Sequence, residues 1–421
     1  MSRAEAIRIG DLGAPEYSEF ARQVIEATAA VETELSVESV SAAAAAQLGD
    51  IPLFLDGGMA ERLALICRCM NEDVDLSPLG RVTNQAILVR YLVQRSRLEE
   101  LYRRHPEIEA EEISSPIIIA GLPRSGTTHL LNLISVDSRL RSLSYAESLE
   151  PIPLDSERES IAAGEDPRNQ RCRESLELQD QVVPLFRNMH EMTPEHIHEE
   201  IELMGMDFSM MLFENYALMP RWRDYYIESD QTPHYHFLVR VLKALQWLRG
   251  PKRWILKSPQ HMEQFRPLRE VFPDATFILP HRDPVSVIAS MVTMQTYVSR
   301  LSRAPVRPAE IGAYWADRIV RMLRQCVVDR DCLPGAQALD VLFDDITQDG
   351  LGAVERIYKL ASHPMSDEVR VAMLQYLEEN PRGKHGQILY DLQEDFGIDP
   401  DTLRADLGFY YERFGVRREN S

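Results

Sequence analysis

The 421-residue chain is 44% hydrophobic and 27% charged, the composition of a globular protein with room for one large α/β domain and an appendage, or for two domains. Its 46 basic residues against 66 acidic ones leave a net charge of −20, which excludes a global field for nucleic acid, so any anion must be held by a local cluster of positive groups. No stretch reaches the roughly 18 apolar residues of a membrane span.

The opening "MSRAEAIRIGDLG" lacks the apolar core of a signal peptide. Residues 1–112 read as a helical extension. "SVESVSAAAAAQLGD" is an alanine-rich helix stopped by Gly49, and "NQAILVRYLVQRSRLEELYRRHPEI" keeps apolar residues at helical spacing up to Pro106. Nothing there has the chemistry of a site, and the segment is expected to pack on a core or on an acceptor's apolar tail. Residues 113–421 are expected to form the main domain. "SPIIIAG" is a short β-branched run closed by a glycine, suited to a buried parallel strand, and "TTHLLNLI" continues at helical spacing. "RWILKS" (253–258) and "TFILPHRDP" (276–284) repeat the pattern of apolar strand and polar loop, the latter strand ending at Pro280, and "LDVLFDD" (339–345) is a fourth. Among the intervening helices the clearest is "TPHYHFLVRVLKALQWLRG", with Thr232 as N-cap, Pro233 in the first turn and Gly250 as stop. Alternating strands and helices predict an α/β fold, a P-loop-like parallel sheet flanked by helices. The five cysteines (Cys67, Cys69, Cys172, Cys326, Cys332) have neither C-x-x-C nor metal spacing, and point to reduced thiols in a cytoplasm.

Three stretches carry anion chemistry. In "GLPRSGTT" a glycine-rich loop joins a strand to a helix, so backbone N–H groups and the helix dipole converge on one point. Gly121 and Gly126 are expected to supply special backbone conformations, and Thr127 and Thr128 to add hydroxyl donors. The lysine that nucleotide triphosphate enzymes place after the second glycine is absent, replaced by Thr127, while Arg124 sits inside the loop. In "PHRDPVSVIAS", Arg282 precedes a helix started by Asp283-Pro284, with Ser286 and Ser290 on one face, suited to a second phosphate. "ENPRGKHGQILY" is basic and glycine-rich within an acidic chain, with Arg382, Lys384 and His385 between Gly383 and Gly386.

In order and spacing, from about Pro116 to Phe414, these stretches resemble the sulfotransferases that use 3′-phosphoadenylyl sulfate (PAPS), especially the bacterial type with small-molecule or lipid acceptors. "GLPRSGTT" is similar to that family's 5′-phosphosulfate loop, which implies nucleotide contacts from Arg124, Ser125, Gly126, Thr127 and Thr128. Arg282 and Ser290, eight residues apart, resemble its 3′-phosphate motif, and "RGKHG" its late loop over the same nucleotide, which implies roles for Lys384, His385 and Gly386. "RWILKSPQH" resembles the strand end that brings a lysine and a serine, here Lys257 and Ser258, to the reacting group. The missing lysine fits: PAPS has one phosphate before its sulfuryl group, and its 3′-phosphate explains a second anion site.

The resemblance implies sulfuryl transfer to a hydroxyl of a small molecule or lipid, giving a sulfate ester and 3′,5′-ADP without a metal. Arg124 and Lys257 are expected to stabilise charge on the bridging oxygen, and one group must take the hydroxyl proton. Glu147, in "YAESLEPIP", matches the acidic position of some relatives and is preferred as this base. His261 is the second candidate, although it lies four residues beyond Lys257 where relatives have two. In "HEMTPEHIHEE" (190–200) the H-E-x-x-H spacing is missing and His196 and His198 fall on different helix faces, so no metal site is expected. That segment is expected to line the acceptor side, with the methionine-rich run after it as core or apolar wall. The rival readings are a P-loop kinase or NTPase, and a nucleotide-binding module without catalysis.

Overall fold

The computed structural model describes residues 6–381 and 387–419. A short strand, β1 (Ala6–Arg8), is followed by four helices, α1 (Glu19–Ala29), α2 (Val37–Leu48), α3 (Gly57–Glu72) and α4 (Pro78–Arg104). Each helix opens on a side-chain cap, Ser18, Ser36, Asp56 and Ser77 each accepting from the backbone N–H three residues on. α2 stops at Gly49, whose φ of 60° lies in the left-handed region, and α4 ends just before His105-Pro106.

The remaining strands are β2 (Ile117–Ile119), β3 (Leu140–Arg141), β4 (Leu143–Ser144), β5 (Ile197–His198), β6 (Arg253–Lys257), β7 (Thr276–His281), β8 (Ala338–Leu342) and β9 (Gln387–Leu389). Five of them form a parallel sheet in the order β3-β6-β2-β7-β8. In register, Ile118 lies beside Leu256 and Phe277, while Ile117 and Ile119 lie beside Ile255 and Thr276 and beside Lys257 and Ile278. Alternate residues therefore feed two apolar cores, one on each face: Ile118, Leu256 and Phe277 belong to one, Ile117, Ile119 and Ile278 to the other. All three parallel loops that bear charge, after β2, β6 and β7, emerge at the carboxyl edge of the sheet, where open α/β folds bind ligands.

The helices of the first 112 residues pack into the larger of these cores. Tyr91 meets Phe213 edge-on at 5.9 Å, the Tyr102 hydroxyl donates to Arg240 O at 2.7 Å, and Arg95 pairs with Asp207 at 2.8 Å. β1 pairs in parallel with β9, and β4 pairs antiparallel with β5.

Two local expectations shift by a residue. β7 runs on through Pro280 to His281, whose buried ring is held by the Tyr410 hydroxyl at 2.7 Å and Asp340 at 2.8 Å and stacks on Phe414. The helix Thr232–Arg249 takes Gln231, not Thr232, as its cap residue, and the Asp230 carboxylate accepts from the Thr232 N–H at 2.9 Å.

Candidate active site

β2 delivers the chain into the loop, and α5 (Thr127–Ser135) carries it away, so the N-terminus of α5 faces whatever the loop holds. The two glycines act differently. Gly126 needs its freedom, with φ of 85°. Gly121 is set by close approach, because a Cβ there would come within 2.7 Å of Thr127 Cγ2 and 3.1 Å of Pro280. The second left-handed residue is Arg124 itself, with φ of 66°, a conformation that costs a non-glycine residue about 1–2 kcal/mol. Three contacts hold it: Arg124 Nε donates to Ser290 Oγ at 3.0 Å, its Nη1 donates to Met189 O, and its carbonyl accepts from Arg282 at 2.6 Å. The loop's shape thus aims a guanidinium into the cleft. Ser125 turns inward, its hydroxyl donating to Leu122 O at 2.6 Å, and so shapes the loop.

Arg282 and Ser290 reach the same place from the loop after β7 and the helix Pro284–Val298. Arg282 lies over the Phe343 ring at 4.2 Å and makes a two-point pair with the Glu419 carboxylate at 2.6 and 2.8 Å. Asp283 caps its helix through Val285 N and also accepts from the Glu419 N–H at 2.8 Å, fixing the C-terminal segment over this corner. An anionic oxygen pair therefore already sits on the arginine expected to take a phosphate. Ser290 Oγ donates onward to the Tyr390 hydroxyl at 3.0 Å.

From β6, Lys257 enters only 2% exposed, so its ammonium is not a tip reaching for water. It pairs with the Glu199 carboxylate and donates to Thr128 Oγ1 at 3.4 Å. Its backbone N–H donates to Glu200 Oε2 at 2.7 Å. Ser258 follows, its Oγ buried with no partner.

Two cavities open on these residues. One, of about 630 Å³, runs over the loop past Gly126, Asn132 and Phe343. The other, of about 310 Å³, is walled by apolar groups including Met211, Leu212, Met291, Met294 and Val298, with Glu199, Glu202 and Tyr216 among its polar lining. Arg124, Thr128 and His190 line both, so the cavities meet at these three side chains. His190, His196 and His198 cluster beside them, with ring centroids 5.5 and 6.1 Å apart. Burial, then the charges of His196, Lys257 and Arg124, push the His190 imidazole down to about 3, and burial and Lys257 push His196 down to about 4. Burial, with the charges of His190, His196, Lys257 and Arg90, holds His198 well below the usual histidine range. All three are neutral at physiological pH.

The two expected bases lie elsewhere. Glu147 is 2% exposed and paired with Arg141 at 2.8 Å and Arg249 at 3.2 Å, and it borders a separate surface cavity with Arg168 and Trp247. Its carboxylate is turned to those guanidinium groups, not to the junction. His261 is fully buried: Nδ1 meets the Tyr235 hydroxyl at 2.8 Å, and Nε2 meets Glu200. It braces Glu200, which in turn holds the backbone of Lys257, and so acts behind the site. Neither residue lines the two cavities that meet at Arg124, Thr128 and His190. Lys384, His385 and Gly386, with Arg382 and Gly383, lie outside the described residues. Among the described residues no group of three or more His, Cys, Asp or Glu is arranged to hold a metal, and no helix is long and apolar enough to cross a membrane.

Residues 116–367, spanning the loop, Lys257 and Arg282, match the Sulfotransferase family. The chain belongs to that family. Its fold is similar to that of the sulfotransferase STF9 from Mycobacterium avium, with a TM-score of 0.79 at 23% identity over 92% of this chain and 98% of that one. It is also similar to the sulfotransferase STF1 from Mycobacterium tuberculosis H37Rv, with a TM-score of 0.77 at 25% identity over 89% and 99% of the two chains. No curated protein compared with this sulfotransferase matches it.

Glu199, Glu200 and His190 were singled out in sequence only as members of a rejected metal cluster, without the partners the structure gives them. The segment that holds them was marked for the acceptor side, but the Lys257–Glu199 pair joins residues 58 apart and leaves no local signal.

Proposed function

We propose that this sulfotransferase moves a sulfuryl group from PAPS to a hydroxyl of a small molecule or lipid with an apolar body. The observation that supports this best is the meeting of the two cavities at Arg124, Thr128 and His190. One cavity is bordered by a phosphate-binding loop and the other by methionines and aliphatic side chains, so an anionic donor and an apolar acceptor would touch only there.

The nucleotide takes the loop cavity, with its 5′-phosphosulfate against the N-terminus of α5 and Thr128, and its 3′-phosphate on Arg282 and Ser290. To reach Arg282 it displaces the Glu419 carboxylate. The acceptor oxygen attacks sulfur as the bond from sulfur to the bridging oxygen breaks. The products are a sulfate ester and 3′,5′-ADP, with Arg124 and Lys257 stabilising the charge that grows on the bridging oxygen. The hydroxyl proton goes to His190, in place of the two bases expected from sequence. In the free protein its imidazole is held low by burial and by the nearby positive groups. The donor's negative charges offset Arg124 and Lys257 and so relieve part of that depression, while burial, its largest cause, remains. His190 is thus neutral before the donor binds and a stronger base after.

The test is incubation with PAPS carrying labelled sulfate and a lipid and metabolite extract. Label in a new ester, with 3′,5′-ADP formed in equal amount, is the expected result. Label that stays in PAPS or appears only as free sulfate argues against transfer, and label transfer from γ-labelled ATP would favour the kinase reading.

A further inference from the structure

The apolar cavity carries unmatched polar atoms. Asn84 is 1% exposed, and its Nδ2 donates to Gly80 O at 2.8 Å, which leaves Oδ1 as the amide atom without a partner. Asn215 Oδ1 is also buried without a partner, and both residues line the same cavity. Buried amide oxygens are nearly always hydrogen-bonded, because removing them from water with nothing in exchange is costly.

Their place in the cavity gives this meaning. The helix Pro284–Val298 forms one wall: Ser290 holds Arg124 at the reacting end, and Met294 and Val298 continue the lining. At 1.5 Å per residue, Val298 lies about 12 Å along the helix from Ser290. Beyond it Leu301 and Ser302 close the cavity, and the start of α4 is fastened there. Ser77 N–H donates to Ser302 O at 2.9 Å, and Gly80 packs so tightly that a Cβ would fall 2.2 Å from that oxygen. Asn84 is one turn further along α4. It therefore stands at the end of the cavity far from Arg124 and Lys257.

Resting on the sulfotransferase reading above, we propose that the acceptor is bifunctional. It has a hydroxyl to be sulfated at one end, an apolar body, and at the other end a hydrogen-bond donor, a hydroxyl or N–H, which Asn84 Oδ1 accepts. A carboxylate or phosphate at that end is excluded, since it offers these oxygens no proton. It would also enter a cavity that already contains the Glu202 carboxylate, bound to Tyr91, Tyr216 and Arg90. Asn84 thus sets specificity, and it is supplied by the N-terminal helices, not by the sheet.

The experiment measures kcat/KM for sulfuryl transfer from PAPS to primary alkanols and to α,ω-diols of matched, graded chain length. A site built around a hydrogen bond rejects the analogue that lacks it. At the best length the diol should exceed the alkanol by about tenfold or more. Asn84→Leu should bring that ratio near one while 3′,5′-ADP binding stays intact, which reports a folded protein. Asn84→Asp, similar in size, should shift preference toward the amino-alcohol of the same length. Equal turnover of diols and alkanols by the native chain, or a diol preference that survives Asn84→Leu, overturns the proposal while leaving sulfuryl transfer standing. Failure to sulfate any alcohol in the series removes the parent reading and this inference with it.

Discussion

Removing the Glu419 carboxylate should tighten nucleotide binding, because that carboxylate occupies the arginine assigned to the 3′-phosphate. The pair is made of two contacts, 2.6 and 2.8 Å, with the Arg282 side chain 17% and the Glu419 side chain 30% exposed. A pair this open to solvent is screened, and is worth about 1 kcal/mol at most. Glu419→Gln keeps the size and the backbone donation to Asp283 but abolishes the charge, so 3′,5′-ADP has less to displace. About 1 kcal/mol corresponds to an affinity gain of about fivefold. Isothermal titration calorimetry of 3′,5′-ADP against the native chain and Glu419→Gln measures it directly. 5′-AMP serves as the control, because it lacks the phosphate that competes for Arg282 and should bind both proteins alike. The gain should also shrink as salt is raised. Unchanged or weaker 3′,5′-ADP binding in Glu419→Gln, or an equal gain for 5′-AMP, would show that Arg282 is not where the 3′-phosphate goes.

The other expectations concern catalysis and stability. His190→Asn should lower kcat by about 10²–10⁴ with 3′,5′-ADP affinity nearly intact, whereas Glu147→Gln should leave kcat within a few fold; the reverse pattern would restore Glu147 as the base. Arg318 lies fully buried between Glu214 and Glu263, with contacts of 2.6–3.1 Å. Arg318→Met strands both carboxylates and should cost about 3–5 kcal/mol in urea unfolding; a loss under 1 kcal/mol would contradict this. Burial and nearby charge hold His190 to about 3 and His196 to about 4, below their unfolded value of about 6.5. Below pH 6.5 the unfolded chain therefore binds more protons than the native one, so stability should fall as pH drops from about 6.5 to 4. The urea midpoint should follow, with a shallower fall in His196→Asn; an unchanged slope would show that His196 is not held neutral.

The loop and the Arg282 corner were legible in sequence because their signals are local. Strand, glycine-rich loop and helix follow one another within Ile117–Ser135, and Arg282 and Ser290 lie just before and within one helix, eight residues apart. The main strands stood out for a similar reason, since buried parallel strands are short unbroken apolar runs. β1, β3, β4, β5 and β9 are two or three residues long and each includes a polar or charged residue, so none is an unbroken apolar run. The surroundings of the two expected bases were not legible because they depend on tertiary placement. Glu147 lies on the helix Tyr145–Leu149, whose Tyr145 borders the apolar cavity while Glu147 borders the separate one. A difference of two residues on one turn sent the side chain toward Arg141 instead. His261 was judged by its spacing from Lys257, but the turn Pro259–Glu263 carries its ring inward to Glu200 and Tyr235. Its partner Glu200 is 61 residues away in the chain, a distance over which sequence gives no pairing. The Arg124 backbone was missed as well: a non-glycine at positive φ is unexpected until Ser290, Met189 and Arg282 are seen to hold it.

The central claim is that this loop serves a nucleotide with a 3′-phosphate, and calorimetry of 3′,5′-ADP, 5′-AMP and ATP on the native chain tests it most directly. Charge-assisted contacts from Arg282 and Ser290 are each worth about 1.5–3 kcal/mol. Even after displacing Glu419, 3′,5′-ADP should bind at least about tenfold more tightly than 5′-AMP or ATP, and Arg282→Ala should erase most of that margin. Equal affinity for 3′,5′-ADP and 5′-AMP, or a preference for ATP, would contradict it.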